Sequence, residues 1–200
     1  MSTAEQIIDI AQEMVQQRGF HAFSYRDIAE QVGIKTASIH YYFPTKAHLA
    51  EAVVRRVLTG AERGLAAIDT EVSPAPEKLR RFCGMFLQTY GEGDRLCPVC
   101  MLAMGQDTIP REVRAGVKQF WGGAESWVAR VVTDGQAKGE IAAELESQAV
   151  ARTFVAALEG AMVAARAFED RTRLTDVIEY LLSSVTPDVN RTGSGSLTER

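Results

Sequence analysis

The chain has 200 residues, of which 46% are hydrophobic and 24% are charged, and its net charge is −4. This composition is typical of a globular protein and excludes a disordered or fibrous one. No apolar run is long enough to span a membrane, and the N-terminus lacks the basic and apolar regions of a signal peptide, so we expect a cytoplasmic protein with no membrane contact. Three cysteines, an odd number, suit a reducing compartment better than a disulfide framework.

The first predicted element is a helix over residues 3–18. Its apolar residues recur with helical spacing, and Gly19 follows where a helix often ends. Thr3 and Gln6 stand at the spacing of a capping box, in which each side chain satisfies a backbone N–H of the first turn. The buried stripe is predicted to consist of Ile7, Ile8, Ala11, Met14 and Val15.

Two short helices joined by a tight turn are predicted next. Ser24 is the expected N-cap of the first, with Asp27 adding negative charge to its first turn. Gly33 is placed to end this helix in a left-handed conformation. The second begins near Lys35 or Thr36 and stops before Pro44, because proline disfavours helical geometry at the preceding residue.

The second short helix has an unusual surface. Only Ile39 and Phe43 share an apolar face, and polar or aromatic side chains cover the remainder. Thr and Ser hydrogen-bond to several base edges, and an Ala side chain meets the thymine methyl group, so the pattern predicts a helix-turn-helix whose second helix enters the major groove of DNA. The predicted base contacts are Thr36, Ala37, Ser38, His40 and Tyr41.

Phosphate contacts are predicted around the same helix, where hydroxyl and basic groups suit phosphate oxygens. The stretch from Arg18 to Lys46 holds four basic residues against two acidic ones, although the whole chain is acidic. The predicted set is Ser24, Arg26, Tyr42, Thr45 and Lys46, and Tyr25 and Lys35 complete the predicted DNA-binding residues. With so few cations, affinity should also depend on dimerisation.

The remaining chain is predicted to be helical over residues 45–68, 76–90, 98–106, 110–138, 146–168 and 171–185. The 146–168 segment is rich in small residues that let another helix approach closely. Those that recur every four positions are Ala149, Thr153, Ala157, Ala161 and Ala165. Residues 187–200 are polar and rich in Gly, Ser and Thr, which predicts a disordered tail.

The Cys97-Pro98-Val99-Cys100 segment, with two cysteines separated by two residues, is a second candidate functional site. A thiol at a helix start tends to have a lowered pKa, so the pair is a candidate sensor of oxidants or electrophiles. The alternative is that both are small buried apolar residues. A zinc site is disfavoured, because the three histidines lie near the predicted DNA-binding helices and the four-ligand spacing is missing.

The segment Gly33-Ile34-Lys35-Thr36-Ala37-Ser38-Ile39-His40-Tyr41-Tyr42-Phe43-Pro44-Thr45-Lys46 resembles the signature of the TetR family of transcriptional repressors. Arg18-Gly19-Phe20 and residues 28–33 also fit. Many relatives carry Gly where this chain has Ala37 and Tyr where it has His40. Both positions lie on the reading helix, so the operator sequence does not transfer.

The resemblance implies an all-α protein with a three-helix helix-turn-helix DNA-binding domain over residues 1–47. A helical effector-binding and dimerisation domain follows over residues 48–186. It implies a homodimer through about residues 146–185 that binds a palindromic double-stranded DNA operator, usually as a repressor, and is released by a small-molecule effector. No cofactor and no enzymatic activity are expected.

The effector pocket is expected on the central helices, which line the pocket in relatives. Apolar or soft side chains there suggest an apolar ligand, aromatic or electrophilic in character. The expected ligand-binding residues are Phe86, Tyr90, Cys97, Cys100, Met101, Met104, Phe120 and Trp121.

Two other functions remain open at this point. The first is a helical thiol-redox enzyme that uses Cys97 and Cys100, although Met104 stands where small helical peroxidases place a histidine. The second is a helical dimer whose only role is protein interaction. DNA footprinting separates the regulator from both, and a peroxidase assay separates the two alternatives from each other.

Overall fold

The described residues are folded as α-helices. The computed structural model describes residues 1–22, 24–91, 93–105 and 109–187, and within these ranges all regular structure is helical. A short 3-10 turn, Phe20–Ala22, follows the first helix. The α-helices are α1 (Thr3–Arg18), α2 (Tyr25–Val32), α3 (Thr36–Tyr42), α4 (Lys46–Glu71), α5 (Ala75–Gly91), α6 (Pro98–Ala103), α7 (Arg111–Ala137), α8 (Ser147–Ala167) and α9 (Thr172–Ser184). The predicted all-α class is confirmed.

Helix α1 begins with a different capping box from the predicted one. The Ser2 amide donates to the Glu5 carboxylate at 2.6 Å, and the Glu5 amide donates to the Ser2 hydroxyl at 3.3 Å. The predicted pairing of Thr3 with Gln6 is therefore wrong, because Thr3 already lies inside the helix. The N-cap is the residue just before the first helical one, which is Ser2 in this helix.

The cap and turn of the helix-turn-helix agree with the sequence. Ser24 caps α2 in a reciprocal box with Asp27, and Gly33 ends that helix with a φ of 77°. A residue with a Cβ is strained at this φ, which explains why glycine is suited to the turn. Helix α3 then begins at Thr36 and stops before Phe43.

Helix α4 is the 26-residue connection between the N-terminal helices and the C-terminal bundle. It packs on α1 near its start and on α5 and α7 further along. Near its end, Asp69 accepts hydrogen bonds from Lys78 Nζ at 2.8 Å, Trp127 Nε1 at 3.0 Å and Arg130 Nη2 at 2.6 Å. This network fixes the far end of α4 to α5 and α7.

Helix α8 also contacts the N-terminal part of the chain. The Arg166 guanidinium donates to the Gln16 carbonyl at 3.2 Å and to the Gln17 carbonyl at 2.8 Å. These carbonyls belong to the last turn of α1, which lacks intrahelical donors and favours a cation. The contact ties α1 to the helix that is predicted to dimerise.

The small-residue stripe of α8 divides between two environments. Ala161 and Ala165 are buried within the chain, whereas Ala149 and Thr153 are exposed. Ala156 is also exposed. The surface of α8 that remains for a partner is therefore rotated around the helix axis from the predicted line of small residues at every fourth position. The predicted disordered tail, apart from Pro187, lies outside the described residues, as does the predicted end of α6 at position 106.

Candidate DNA-binding surface and effector cavity

Helix α3 is anchored on one side and open on the other. Ile39 is fully buried and Phe43 is 9% exposed, so these two residues hold the helix against α2 and the N-terminal core. Opposite them, Tyr41 is 82% exposed and Tyr42 is 42% exposed. The two tyrosine rings meet edge to face with centroids 5.2 Å apart.

Most of the predicted DNA-binding side chains reach the surface. Thr36, Ser38 and Lys46 are half-buried. The exposed ones are Ser24, Arg26, Lys35, Ala37, His40, Tyr41, Tyr42 and Thr45. An anchored helix with a polar, exposed outer side has the shape that major-groove recognition needs.

Tyr25 does not fit the prediction of a DNA contact. Its side chain is buried, and its hydroxyl donates to the Phe43 carbonyl at 2.8 Å. Burial raises the pKa of this phenol to about 12, so it stays protonated as a donor. The ring also packs edge to face on His40, with centroids 4.8 Å apart. Tyr25 therefore fixes the C-terminal end of α3, where the backbone leaves the helix.

Several predicted contacts already have partners within the chain. The Ser24 hydroxyl donates to Asp27 at 2.7 Å, and its interactions lower the pKa of that carboxyl. Thr45 Oγ1 lies 2.8 Å from His48 Nδ1 and caps α4. The Lys46 ammonium lies 4.7 Å from the centroid of the Phe20 ring, a cation–π distance. These contacts orient the side chains beside α3.

A cavity of about 1220 Å³ lies between α1 and the helices of the C-terminal part. Its walls come mainly from α1, α4, α5 and α7, with contributions from α6 and α8. Its aromatic lining consists of Phe82, Phe86 and Phe120, while several arginines lie around it. This concave space is large enough for a drug-sized ligand, and its lining combines apolar side chains with many polar and charged ones.

The cavity includes only part of the predicted ligand-binding set. Phe86, Cys97 and Phe120 line it. The others do not line it: Tyr90 and Cys100 are buried, Met104 is 66% exposed, and Met101 and Trp121 are half-buried. Tyr90, Cys100, Met101, Met104 and Trp121 therefore do not line this cavity. Helical spacing shows which residues share a face of a helix, but not which part of that face borders the open space.

The two cysteines are not low-pKa thiols. Both are buried, and burial, together with the Glu159 carboxyl, raises the pKa of Cys97 well above its ordinary value and that of Cys100 to about 12. The expected lowering by the start of α6 is therefore overturned, since α6 is only six residues long and desolvation dominates. Buried thiols of this kind are inert.

Glu159 on α8 is the polar residue that the sequence analysis missed. It is 6% exposed, and neither carboxyl oxygen has a hydrogen-bond partner among the described residues. The Trp121 indole N–H is likewise without one. Burial raises the pKa of Glu159, and Cys97, Cys100 and Trp121 are close enough to oppose that rise in part. The signal in the sequence is a lone acid in the otherwise apolar run from Phe154 to Met162.

The raised pKa of Glu159 makes stability depend on pH. As the pH rises from the ordinary value of 4.5 through the folded-state pKa, the folded protein must ionise a buried group, so stability falls. Glu159→Gln removes this titration. We expect the variant to gain stability relative to the unmutated protein as the pH rises above about 4.5, measured by urea unfolding.

Glu112→Gln, an exposed change on α7, is the control for that measurement. It should leave the pH profile unaltered. Parallel profiles for Glu159→Gln and the unmutated protein would contradict a raised pKa at Glu159.

Two family matches account for most of the chain. Residues 7–53 match the bacterial regulatory proteins of the tetR family, and residues 75–181 match the tetracyclin repressor-like C-terminal domain. The second match alone covers more than half of the chain. The protein belongs to the TetR family. It is a helix-turn-helix transcriptional regulator, and the helix-turn-helix described above lies within the N-terminal match.

Individual relatives agree with this assignment. The HTH-type transcriptional repressor KstR2 of Mycolicibacterium smegmatis is 30% identical over 90 residues, which span 44% of this chain and 42% of that repressor. The fatty acid metabolism regulator protein of Bacillus subtilis is 24% identical over 136 residues, 68% of this chain and 69% of that protein. A TetR-family regulator from Agrobacterium tumefaciens superposes with a TM-score of 0.88 at 29% identity, covering 92% of this chain and 97% of that one.

Two absences hold for the described residues. None of their helices is long and apolar enough to cross a membrane. Their His, Cys, Asp and Glu side chains form no group of three or more that could hold a metal ion.

Proposed function

We propose that this TetR-family regulator is a homodimeric repressor that binds a palindromic operator and is released by a small apolar effector. The observation that carries the proposal is the pairing of an anchored α3, open on its polar side, with a large cavity lined by α4. Helix α4 joins the two, so a ligand that displaces it also displaces α3. Such a protein acts in the cytoplasm, where bacterial DNA lies.

The DNA-binding unit is residues 1–47. Thr36, Ala37, Ser38, His40 and Tyr41 are proposed to meet base edges. Phosphates are proposed to meet Ser24, Arg26, Lys35, Tyr42, Thr45 and Lys46. Tyr25 is assigned to positioning, because its hydroxyl is already bonded to the Phe43 carbonyl.

Dimerisation is proposed through α8 and α9, in the region of residues 146–185. Support comes from the exposed small residues of α8 and from Tyr180 on α9, which is 72% exposed although it is large and apolar. A two-fold dimer would place its two α3 helices about 34–36 Å apart, one turn of DNA, and would read a palindrome.

Release is proposed to be a shift between two dimer geometries. A ligand in the cavity contacts Ala52, Leu58 and Leu65 of α4, whose first turn follows α3 directly. In one geometry the spacing of the two α3 helices fits the operator, and in the other it does not. A ligand that binds the second geometry more tightly lowers operator affinity, and the size of the effect is set by the ratio of its affinities for the two geometries. Because the thiols are buried with raised pKa values, the effector is proposed to bind without covalent reaction.

Selection of bound DNA from a random duplex library tests the proposal. The purified protein should enrich a palindromic motif at low salt. Failure to enrich any motif, also after denaturation and refolding to remove a bound effector, would overturn it.

The base and phosphate assignments predict different mutational effects. Ser38→Ala should change preference at one base pair of each half-site, because a hydroxyl that reads a base edge is lost. Tyr42→Phe should weaken binding about equally for all sequences, because phosphate contacts carry no sequence information. Both are measured by repeating the selection with each variant. Equal effects on all sequences from both variants would contradict the assignment.

A further inference from the structure

The buried carboxyl of Glu159 lies close to the wall of the cavity. Cys97 lines the cavity, and Glu159 is close enough to raise the pKa of the Cys97 thiol. Met162, one turn after Glu159 on α8, also lines the cavity. The carboxyl group therefore lies directly behind this part of the wall, one side chain away from the open space.

The fold gives this carboxyl only weak compensation, from the Cys97 and Cys100 thiols and the Trp121 indole. Both oxygens are shielded from solvent without a hydrogen bond among the described residues, and no cation is among the groups that shift its pKa. A buried polar group without a partner is destabilising, and an ionised one much more so. Evolution tolerates such groups at binding and catalytic sites, where a ligand supplies the missing partner.

We propose that the effector is a lipophilic amine, whose ammonium group displaces the Cys97 side chain from the wall and pairs with the Glu159 carboxylate. This deepens the proposed function and rests on it for the role of the cavity. The apolar body of the ligand occupies the space beside Phe82, Phe86 and Phe120. The faces of aromatic rings also attract cations. The three phenylalanines of the lining and the Glu159 carboxylate therefore both favour a cationic ligand with an apolar body.

The charges around the cavity do not favour an anionic ligand instead. Arg55, Arg56 and Arg63 line it but are exposed, and Arg56 is paired with Asp9. Arg95 also lines it and is half-buried, but its guanidinium is paired with Glu13 at 3.3 Å. Salt and water screen interactions of exposed groups, whereas a buried carboxylate acts through a medium of lower dielectric constant. At the inner wall, Glu159 therefore decides which head group is accepted, and a carboxylate on the ligand would be repelled.

The experiment compares phenylbutylamine with phenylbutanol, which has a similar body and a neutral head, by titration calorimetry of the full chain. The unmutated protein should bind the amine about tenfold or more tightly than the alcohol. Glu159→Gln should abolish that preference and leave the affinity for the alcohol unchanged, which also shows that the cavity is still folded.

Two further variants sharpen the comparison. Glu62→Gln removes an exposed carboxylate that also lines the cavity, and the preference for the amine should persist in this control. Cys97→Ala removes the side chain between the cavity and Glu159, and should strengthen amine binding several-fold.

Equal affinity for both compounds, binding of neither, or equal effects of Glu62→Gln and Glu159→Gln would each overturn the amine site. Operator binding is measured on the same samples. A protein that binds its operator but shows no amine preference retains the proposed function and loses this inference. A protein that prefers the amine but binds no operator retains the site and loses the proposed function.

Discussion

Tyr25→Ala is expected to lower the free energy of unfolding by about 3–5 kcal/mol, the range for removing a buried aromatic side chain. The loss has three components: the cavity left by the buried ring, an unsatisfied Phe43 carbonyl, and the lost ring contact with His40. Because these contacts hold the end of α3, operator binding should fail as well. Unfolding by urea, followed by circular dichroism, measures the stability change.

Tyr41→Ala is the matched control, since it removes the same side chain from a position that is 82% exposed. Its stability should stay within about 0.5 kcal/mol of the unmutated protein. Operator affinity should nevertheless fall about tenfold or more, because each dimer loses the contact twice. Stability losses of the same size in both variants would contradict the assignment of Tyr25 to the core and of Tyr41 to DNA binding.

Gly116→Ala should also have a large effect, through the contact between α7 and α4. A Cβ at Gly116 would lie 2.4 Å from Val54 Cγ1, closer than atoms approach in real structures. Val54 is buried and β-branched, so it has little freedom to move away. Overpacking costs about 1–3 kcal/mol and is offset by about 1 kcal/mol of helix propensity. We expect a net loss of up to about 2 kcal/mol in the free energy of unfolding.

Gly122→Ala on the same helix isolates the steric part of that effect. A Cβ at Gly122 meets nothing within 4 Å, so only the propensity gain remains and the variant should be stabilised by about 0.5–1 kcal/mol. Opposite signs for the two glycines are the expected result of parallel urea titrations. If both variants were stabilised, the close approach of α4 and α7 would not constrain the fold.

The division between what the sequence and the fold determine is clear in the helix-turn-helix. The Ser24 cap and the Gly33 turn are local features, set by hydrogen bonds and backbone angles within a few residues, and both were predicted. The role of Tyr25 was not, because its partner, the Phe43 carbonyl, lies 18 residues away. Because the two residues are far apart in sequence, no local pattern indicates the contact that turns the Tyr25 hydroxyl towards the core and away from DNA.

The residues that line the cavity were likewise only partly predictable from the sequence. The family resemblance pointed to the central helices, and the apolar or soft side chains chosen there included Phe86, Cys97 and Phe120, which do line it. The same choice also included Met104, which is exposed, and passed over Glu159, which is buried beside the cysteine pair. A thiol's pKa depends on what surrounds it, so the start of a helix suggested a lowered value where burial and a nearby carboxyl produce a raised one.

The sequence by itself therefore determined the all-α class, the capped and glycine-terminated helix-turn-helix, and the resemblance that the family matches confirm. These depend on short-range rules of spacing and backbone geometry. Only the tertiary structure decided which side of each helix faces the cavity, that Tyr25 is buried, and that Glu159 is buried with no cation beside it among the described residues. Those outcomes depend on the burial of groups far apart in the chain, because desolvation is a property of the packed molecule.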